Sequence, residues 1–337
     1  MSSVIAATAS VQRSAQRRWL PVAVIWLALV TVPVWFPLLG GYNALAGSVL
    51  VFGLAAMGLN LLLGFTGVLS FGHAAYFGLG AYGAGLMLKY VAASTPLAML
   101  AGTLFGGLAG TLFGLVIVRR RGVYFAMCTI AFGQIFYYIA YKWNDFTGGF
   151  DGLRGFHREP IGIGALTLDI TDEQPFLFLS EGFRFYYFTL AMFTIAVVLM
   201  GLLVRSPFGR TLRAIRENER RARFLGIPVE RHIWLSFSVS CFFTALAGTL
   251  YALLNNFADP LALHYTQSGY FVIMAVLGGM RSFWGPLLGA AVFWVLKDFL
   301  SSALPEEWMA FLGVIFVLAV LFFPRGMLGM LKRRSAE

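Results

Sequence analysis

The sequence predicts an all-α integral membrane protein with about ten transmembrane helices, and three observations predict it. Of 337 residues, 59% are hydrophobic and 12% are charged, against roughly 25% charged in a soluble domain. Apolar runs of the roughly 17–25 residues that cross a ~30 Å hydrocarbon core recur from end to end. Segments of alternating polarity, the mark of a membrane barrel, are not visible, and lipid offers no partner to an unpaired backbone amide.

The spans fall roughly at 19–36, 44–63, 70–90, 96–118, 122–142, 184–204, 231–254, 266–279, 286–303 and 308–323. The first follows Arg13, Arg17 and Arg18 and ends in PVWFP with no small-residue cleavage site. It reads as a signal anchor rather than a cleaved peptide. With the N-terminus inside, the inner side receives 19 Lys and Arg and the outer side 6. The positive-inside rule therefore puts both termini in the cytoplasm. The net charge of +10 belongs to the cytoplasmic leaflet and its anionic lipid, with no nucleic acid implied. Cys128 and Cys241 lie within spans and read as buried apolar residues.

The chain divides into a cytoplasmic tail (1–18), spans 1–5 (19–142), an extracytoplasmic loop (143–183), spans 6–10 (184–326) and a second cytoplasmic tail (327–337). The loop carries seven acids, Asp145, Asp151, Glu159, Asp169, Asp172, Glu173 and Glu181, with Pro160 and Pro175. Its length suits a lid, a docking surface or a solvated spacer. Five spans before it and five after it would give two inverted halves, as in many transporters.

The cytoplasmic segment RSPFGRTLRAIRENERRARFLGIPVER, 205–231, has helix punctuation at both ends. Ser206 can cap, Pro207 suits the first position, and Gly226 with Pro228 stops the helix. Arg213, Arg216, Arg220 and Arg223 share one face, and Leu212, Ile215, Ala222 and Leu225 form an apolar one. Glu217 with Arg221 and Glu219 with Arg223 stand at favourable i,i+4 spacing. One amphipathic helix over 205–228 is expected.

Two glycine-rich breaks interrupt the apolar halves: GFTGVLSFGHAAYFGLGAYG, 64–83, and LGGMRSFWGPLLGA, 277–290. Where a helix stops in a membrane, freed backbone groups are tolerated only beside protein or water. A helix N-terminus there suits a carboxylate and a C-terminal end suits an ammonium. The first break, with Gly64, Thr66, Gly67, Ser70, Gly72 and His73, thus fits a passage for a small zwitterion. Gly278, Gly279 and Ser282 are its counterparts in the second. An ionisable group in a span is a functional candidate by default. For His73 the alternative is a neutral imidazole bonded to a freed carbonyl. Gly102, Gly106, Gly110 and Gly114 form a small-residue stripe that lets another helix, in this chain or a second subunit, approach closely.

Gly78, Gly80 and Gly83 match GxGxxG, but no strand precedes them and the segment lies in a span. No phosphate-binding Gly-x4-Gly-Lys-Ser/Thr occurs, and no metal set stands at ligand spacing. Lys297 and Asp298 read as an interfacial anchor. The absence of a converging nucleophile, base or metal set argues against an intramembrane enzyme.

GLNLLLGFTGVLSFGHAAYFGLGAY (58–82), RGVYFAMCTIAFGQI (121–135), TGGFDGLRG (147–155), RSPFGRTLRAIRENERRARFLGIP (205–228) and VLGGMRSFWGPLLGA (276–290) together resemble the M-type permease subunit of branched-chain amino acid ABC importers. The resemblance implies a fold like that of type II ABC importer permeases, in the cell inner membrane. It implies a permease half of an ATP-driven importer that works by alternating access. The partners implied are a second permease in a heterodimer, two ATP-binding subunits and an extracytoplasmic solute-binding protein. This chain would bind no cofactor; ATP and Mg would sit on the partners. Segment 205–228 would be the coupling helix, with Arg213, Arg216, Glu217, Glu219, Arg220, Arg223 and Gly226 as ATPase-coupling residues. Glu219 is followed by Arg220 and Arg221 where the wider coupling signature has small residues. Relatives of this type carry urea, short amides or other amino acids, so these remain alternative cargoes. An ion-coupled secondary transporter is the other alternative, and mid-span acids for it are scarce.

Overall fold

The computed structural model describes residues 23–91, 94–163, 166–168, 170–171, 182–322 and 326–329. The expected N-terminal tail, Asp169, Asp172, Glu173, Pro175, Glu181, Arg325 and the tail beyond 329 lie outside the described residues.

Each expected span coincides with a helix. They are α1 (Ala23–Trp35), α2 (Asn43–Thr66), α3 (His73–Leu86), α4 (Thr95–Ile117), α5 (Val123–Lys142), α7 (Phe183–Arg205), α10 (Val229–Asn255), α11 (Tyr265–Gly278), α12 (Gly285–Ala303) and α13 (Trp308–Phe322). Between them lie the short α6 (Asn144–Thr147), α8 (Pro207–Glu217) and α9 (Glu219–Phe224). Among the described residues, seven helices are long and apolar enough to cross a membrane; α1, α3 and α11 are shorter. The glycine break does not interrupt a span: α2 has 24 residues, about 36 Å at 1.5 Å per residue, and the break follows its end.

The centre is α2, with 89% of its apolar window buried, against α10, with 67%. The two run antiparallel. Gly47 at the start of α2 meets Leu254 of α10, Gly58 meets Thr244, and Thr66 bonds Ser236. The packing then repeats. α10 lies on α3 and α4 as α2 lies on α11 and α12, and α5 borders α3 and α4 as α13 borders α11 and α12. Since α2 and α10 occupy equivalent places and run in opposite directions, α2–α5 and α10–α13 follow one packing pattern in opposite senses.

Glycines set the closest approaches. Gly102 faces the Gly80 carbonyl and Thr249, Gly106 the Tyr76 carbonyl and Ala245, Gly110 Cys241, and Gly114 Phe237. The stripe thus seats α4 between α3 and α10 of this same chain. In the second half Gly285 meets the Gly279 carbonyl and Gly289 that of Met274.

Segment 205–231 departs from expectation. Asn218 adopts extended backbone, φ −158°, and splits the segment into α8 and α9. The reason is a competing cap: its Oδ1 accepts from the Arg221 amide at 2.9 Å and starts a new helix. The break removes the Glu217–Arg221 pair and the shared arginine face. It also leaves Leu225 75% exposed instead of continuing the apolar side. We call α8–α9 the elbow and its side of the molecule the elbow side.

On the opposite side TGGFDGLRG folds back on α5. The Thr147 hydroxyl donates to the Ala140 carbonyl at 2.7 Å, and Leu153 and Ala258 exchange backbone bonds of 3.0 and 3.2 Å. Arg158 stacks on Phe185 at 4.6 Å and Arg154 on Phe257 at 5.2 Å. The described part of this loop is docked on the helices. It also holds a small antiparallel hairpin, β1 (Ile161–Ile163) with β2 (Leu166–Leu168), which the all-α expectation lacks. Lys297 stacks on Trp294 at 4.3 Å, and the Tyr42 hydroxyl donates to Asp298 at 2.9 Å.

Gly106→Leu should force α4 off α3 and α10 and destabilise the chain by roughly 1–3 kcal/mol or more. Gly313→Leu, in open space, should not. Thermal unfolding of the detergent-purified protein checks both.

Candidate functional site

The two breaks and the elbow converge at the end of α2. That helix stops because Gly67 takes a left-handed conformation, φ +80°, and its amide bonds the Leu62 and Leu63 carbonyls. The carbonyls of the last turn still need donors. Arg216 of α8 donates to the Gly64 carbonyl, and its stem lies against Gly67. A guanidinium at a helix C-terminus also meets the negative end of the helix dipole. The cation expected at this helix end is therefore the protein's own.

The start of α3 is satisfied in the same internal way. The Phe71 amide donates to Thr129 Oγ1 of α5 at 3.2 Å, the Gly72 amide to Ser70 Oγ at 3.3 Å, and the Ala74 amide to Ser268 Oγ of α11 at 2.8 Å. Hydroxyls already hold these amides, so in this conformation they do not form the open carboxylate site that the sequence suggests.

His73 is fully buried, between edge-on Tyr76 and Phe237. Its Nε2 lies 2.7 Å from Ser240 Oγ and its Nδ1 2.9 Å from Ser70 Oγ. Ser240 donates its one hydroxyl proton to the Gly58 carbonyl. Its oxygen then accepts from His73 Nε2–H, while Nδ1 shares a hydrogen bond with the Ser70 hydroxyl. Through these bonds the ring ties the break to α10 and, by way of Ser240, to α2. It bonds two hydroxyls, not a freed carbonyl. Thr66 likewise bonds Ser236 at 3.0 Å.

The second break lies beside the first. Asn60 of α2 donates to the Ser282 carbonyl at 3.2 Å, and Gly64 leaves room for the Met280 carbonyl. Gly64, Thr66, Ser70, Gly72, His73, Gly278 and Gly279 are all buried, Ser282 is half-buried, and only Gly67 is exposed.

The elbow grips four elements. Ser206 caps α8 through the Gly209 amide. Arg213 closes the α7 end by donating to the Val204 carbonyl at 2.8 Å, and Arg216 closes α2. Glu219 accepts from Arg121 in the α4–α5 turn at 3.0 Å and from Arg223 at 2.9 Å; Arg223 also reaches Glu230 of α10 at 3.4 Å. Burial alone would raise the Glu219 carboxyl pKa, but these two guanidinium bonds outweigh it and hold it below its ordinary value. Burial, then the charge of Arg281, lowers that of Arg216. Gly226, φ +80°, ends α9. Glu217, Arg220 and Arg221 are exposed, as is Phe224, at 91%.

A cavity of about 550 Å³ occupies the junction, lined by Thr66–Leu69 and Phe71, the α4–α5 turn at Arg121–Val123, and Ile215–Glu219. Motifs 150 residues apart in sequence share its wall. Asn60, Arg121, Thr129, Ser236, Ser240 and Ser268 belong to this network, and sequence reasoning missed them. Arg121 was visible only as topogenic charge. The hydroxyls on α10 and α11 give no signal, because Ser and Thr are common in membrane helices.

The family described as "Branched-chain amino acid transport system / permease component" matches residues 42–320. The chain is 28% identical over 328 residues to the high-affinity branched-chain amino acid transport system permease protein LivM of Salmonella typhimurium, covering 92% of this chain and 77% of that one. It is 24% identical over 309 residues to the permease protein BraD of Pseudomonas aeruginosa, covering 82% and 91%. A shorter match of 29% identity over 137 residues, 40% of this chain and 44% of the relative, is to the permease protein LivH of Salmonella typhimurium. No solved structure matches. With the family match spanning most of its length and the helices to accompany it, this chain belongs to the permease components of branched-chain amino acid transport systems.

Proposed function

We propose that this multi-pass membrane protein is the permease subunit of an ATP-driven importer that moves branched-chain amino acids by alternating access. The observation that carries the reading is the elbow. It is an arginine-rich helix pair outside the apolar body, bonded to α7, to the end of α2, to the α4–α5 turn and to α10. A body with such a handle, and no nucleotide motif of its own, suits a subunit driven by another chain. Relatives bearing the LivM and LivH names support pairing with a second permease.

In this reading the elbow lies in the cytoplasm and the membrane is the inner one. Two ATP-binding subunits hold ATP and Mg, and α8–α9 with exposed Arg220 and Phe224 seats on one of them. A solute-binding protein docks over the loop 143–183. The buried residues of the breaks act as hinges for the helices that border the solute path. Tilting the elbow pulls Arg216 and so moves the end of α2 relative to the second break.

Reconstitution tests the reading. The chain with its second permease, two ATPases and binding protein in liposomes should accumulate leucine only with ATP. Uptake of urea or acetamide in preference to leucine would replace the cargo. Uptake by the two permeases alone under an ion gradient would replace the mechanism.

Two substitutions separate transmission from solute contact. Arg216→Gln should leave the assembled complex in the membrane but cut solute-stimulated ATPase activity and uptake by about tenfold, the effect of losing roughly 1.4 kcal/mol. Unchanged stimulation contradicts the assignment. Ser240→Ala leaves His73 Nε2–H unpaired and should cost roughly 1–3 kcal/mol of stability, with half-saturation for leucine unchanged. A shifted half-saturation at unchanged stability would make His73 a solute ligand.

A further inference from the structure

A second cavity of about 400 Å³ opens on the elbow side, lined by Arg213, Arg216, Glu217 and Arg281. Three guanidinium groups against one carboxylate leave it positive. Arg213 and Arg216 spend donors on the carbonyls of Val204, Gly209 and Gly64, which cancel no charge. Arg281 is exposed, with no ion pair among the described residues. Its charge works against that of Arg216. Like charges around a hollow are relieved by an anion, and guanidinium forks from two separate segments suit the oxygens of a phosphate.

The position of the hollow narrows the source. Arg213 holds the last turn of α7, where Leu199 and Leu202 are 52% and 64% exposed. Phe283, two residues from Arg281, reaches Gly201 on the same helix. The charged hollow therefore lies at the end of a helix whose exposed apolar side chains are of the kind that acyl chains cover in a bilayer. A free phosphate would use the charge alone; a phospholipid uses both.

We propose that Arg213, Arg216 and Arg281 form a binding site for the phosphate headgroup of an anionic phospholipid in the cytoplasmic leaflet, its acyl chains lying along the end of α7. The sidedness rests on the orientation proposed above; the binding itself does not depend on transport. An occupied site screens Arg281 from Arg216 and keeps Arg216 on the end of α2. Anionic lipid would thereby support the elbow in its seated position.

The test is retention of phosphatidylglycerol by the detergent-purified permease pair, read by native mass spectrometry. Wild type should retain it. Arg281→Gln should retain about fivefold less, the worth of one basic side chain at an anionic surface. Arg281→Lys, which keeps the charge and guards against a folding artefact, should retain most of it, as should Arg119→Gln on the same side. Equal retention by Arg281→Gln overturns the site. Thermal stabilisation by inorganic phosphate in phosphatidylcholine nanodiscs, equal to that given by phosphatidylglycerol, overturns the lipid as its source. A failure of leucine uptake with retention intact would fall on the transport reading alone.

Discussion

The end of α2 leaves carbonyl groups without intrahelical donors, and such groups cost free energy unless paired. Arg216 meets the Gly64 carbonyl from outside the apolar body. That bond joins the central helix of the fold to a handle rich in charged residues. Much of the remaining polar chemistry follows the same rule. Thr129, Ser70 and Ser268 hold the amides at the start of α3, and Ser240 holds His73. The glycines let backbones come close enough for these short side chains to reach.

The helices were legible because lipid leaves the chain so few options. Each apolar run holds a helix among the described residues, with ends displaced by a few residues, and seven of these helices are long and apolar enough to cross a membrane. Gly67, Gly226 and Ser206 act at the helix ends where their chemistry places them. The elbow was legible as amphipathic but not as broken. Asn218 can continue a helix or cap a new one, and only its tertiary setting decides. The β1–β2 hairpin carries no alternation long enough to stand out in a chain this apolar.

The site was legible in part. The glycine breaks and the arginine segment each stand out alone. Their meeting does not, because Gly64 and Arg216 are separated by 152 positions and nothing local links them. The helix ends that suggest a zwitterion passage in the sequence are held, in this conformation, by side chains of the protein itself. His73 illustrates the point: both its ring nitrogens bond serine hydroxyls, one of them on α10.

The account turns on relative movement between the elbow and the loop 67–72. Leu69 and Asn218 line the same cavity from the two sides. In a background with Cys128 and Cys241 replaced, cysteines at these two positions can be joined by a short reducible cross-linker in the assembled importer. The account predicts that cross-linking stops ATP-driven leucine uptake without releasing the ATPases, and that reduction restores it. Uptake by the cross-linked importer at the rate of the unlinked one would contradict it.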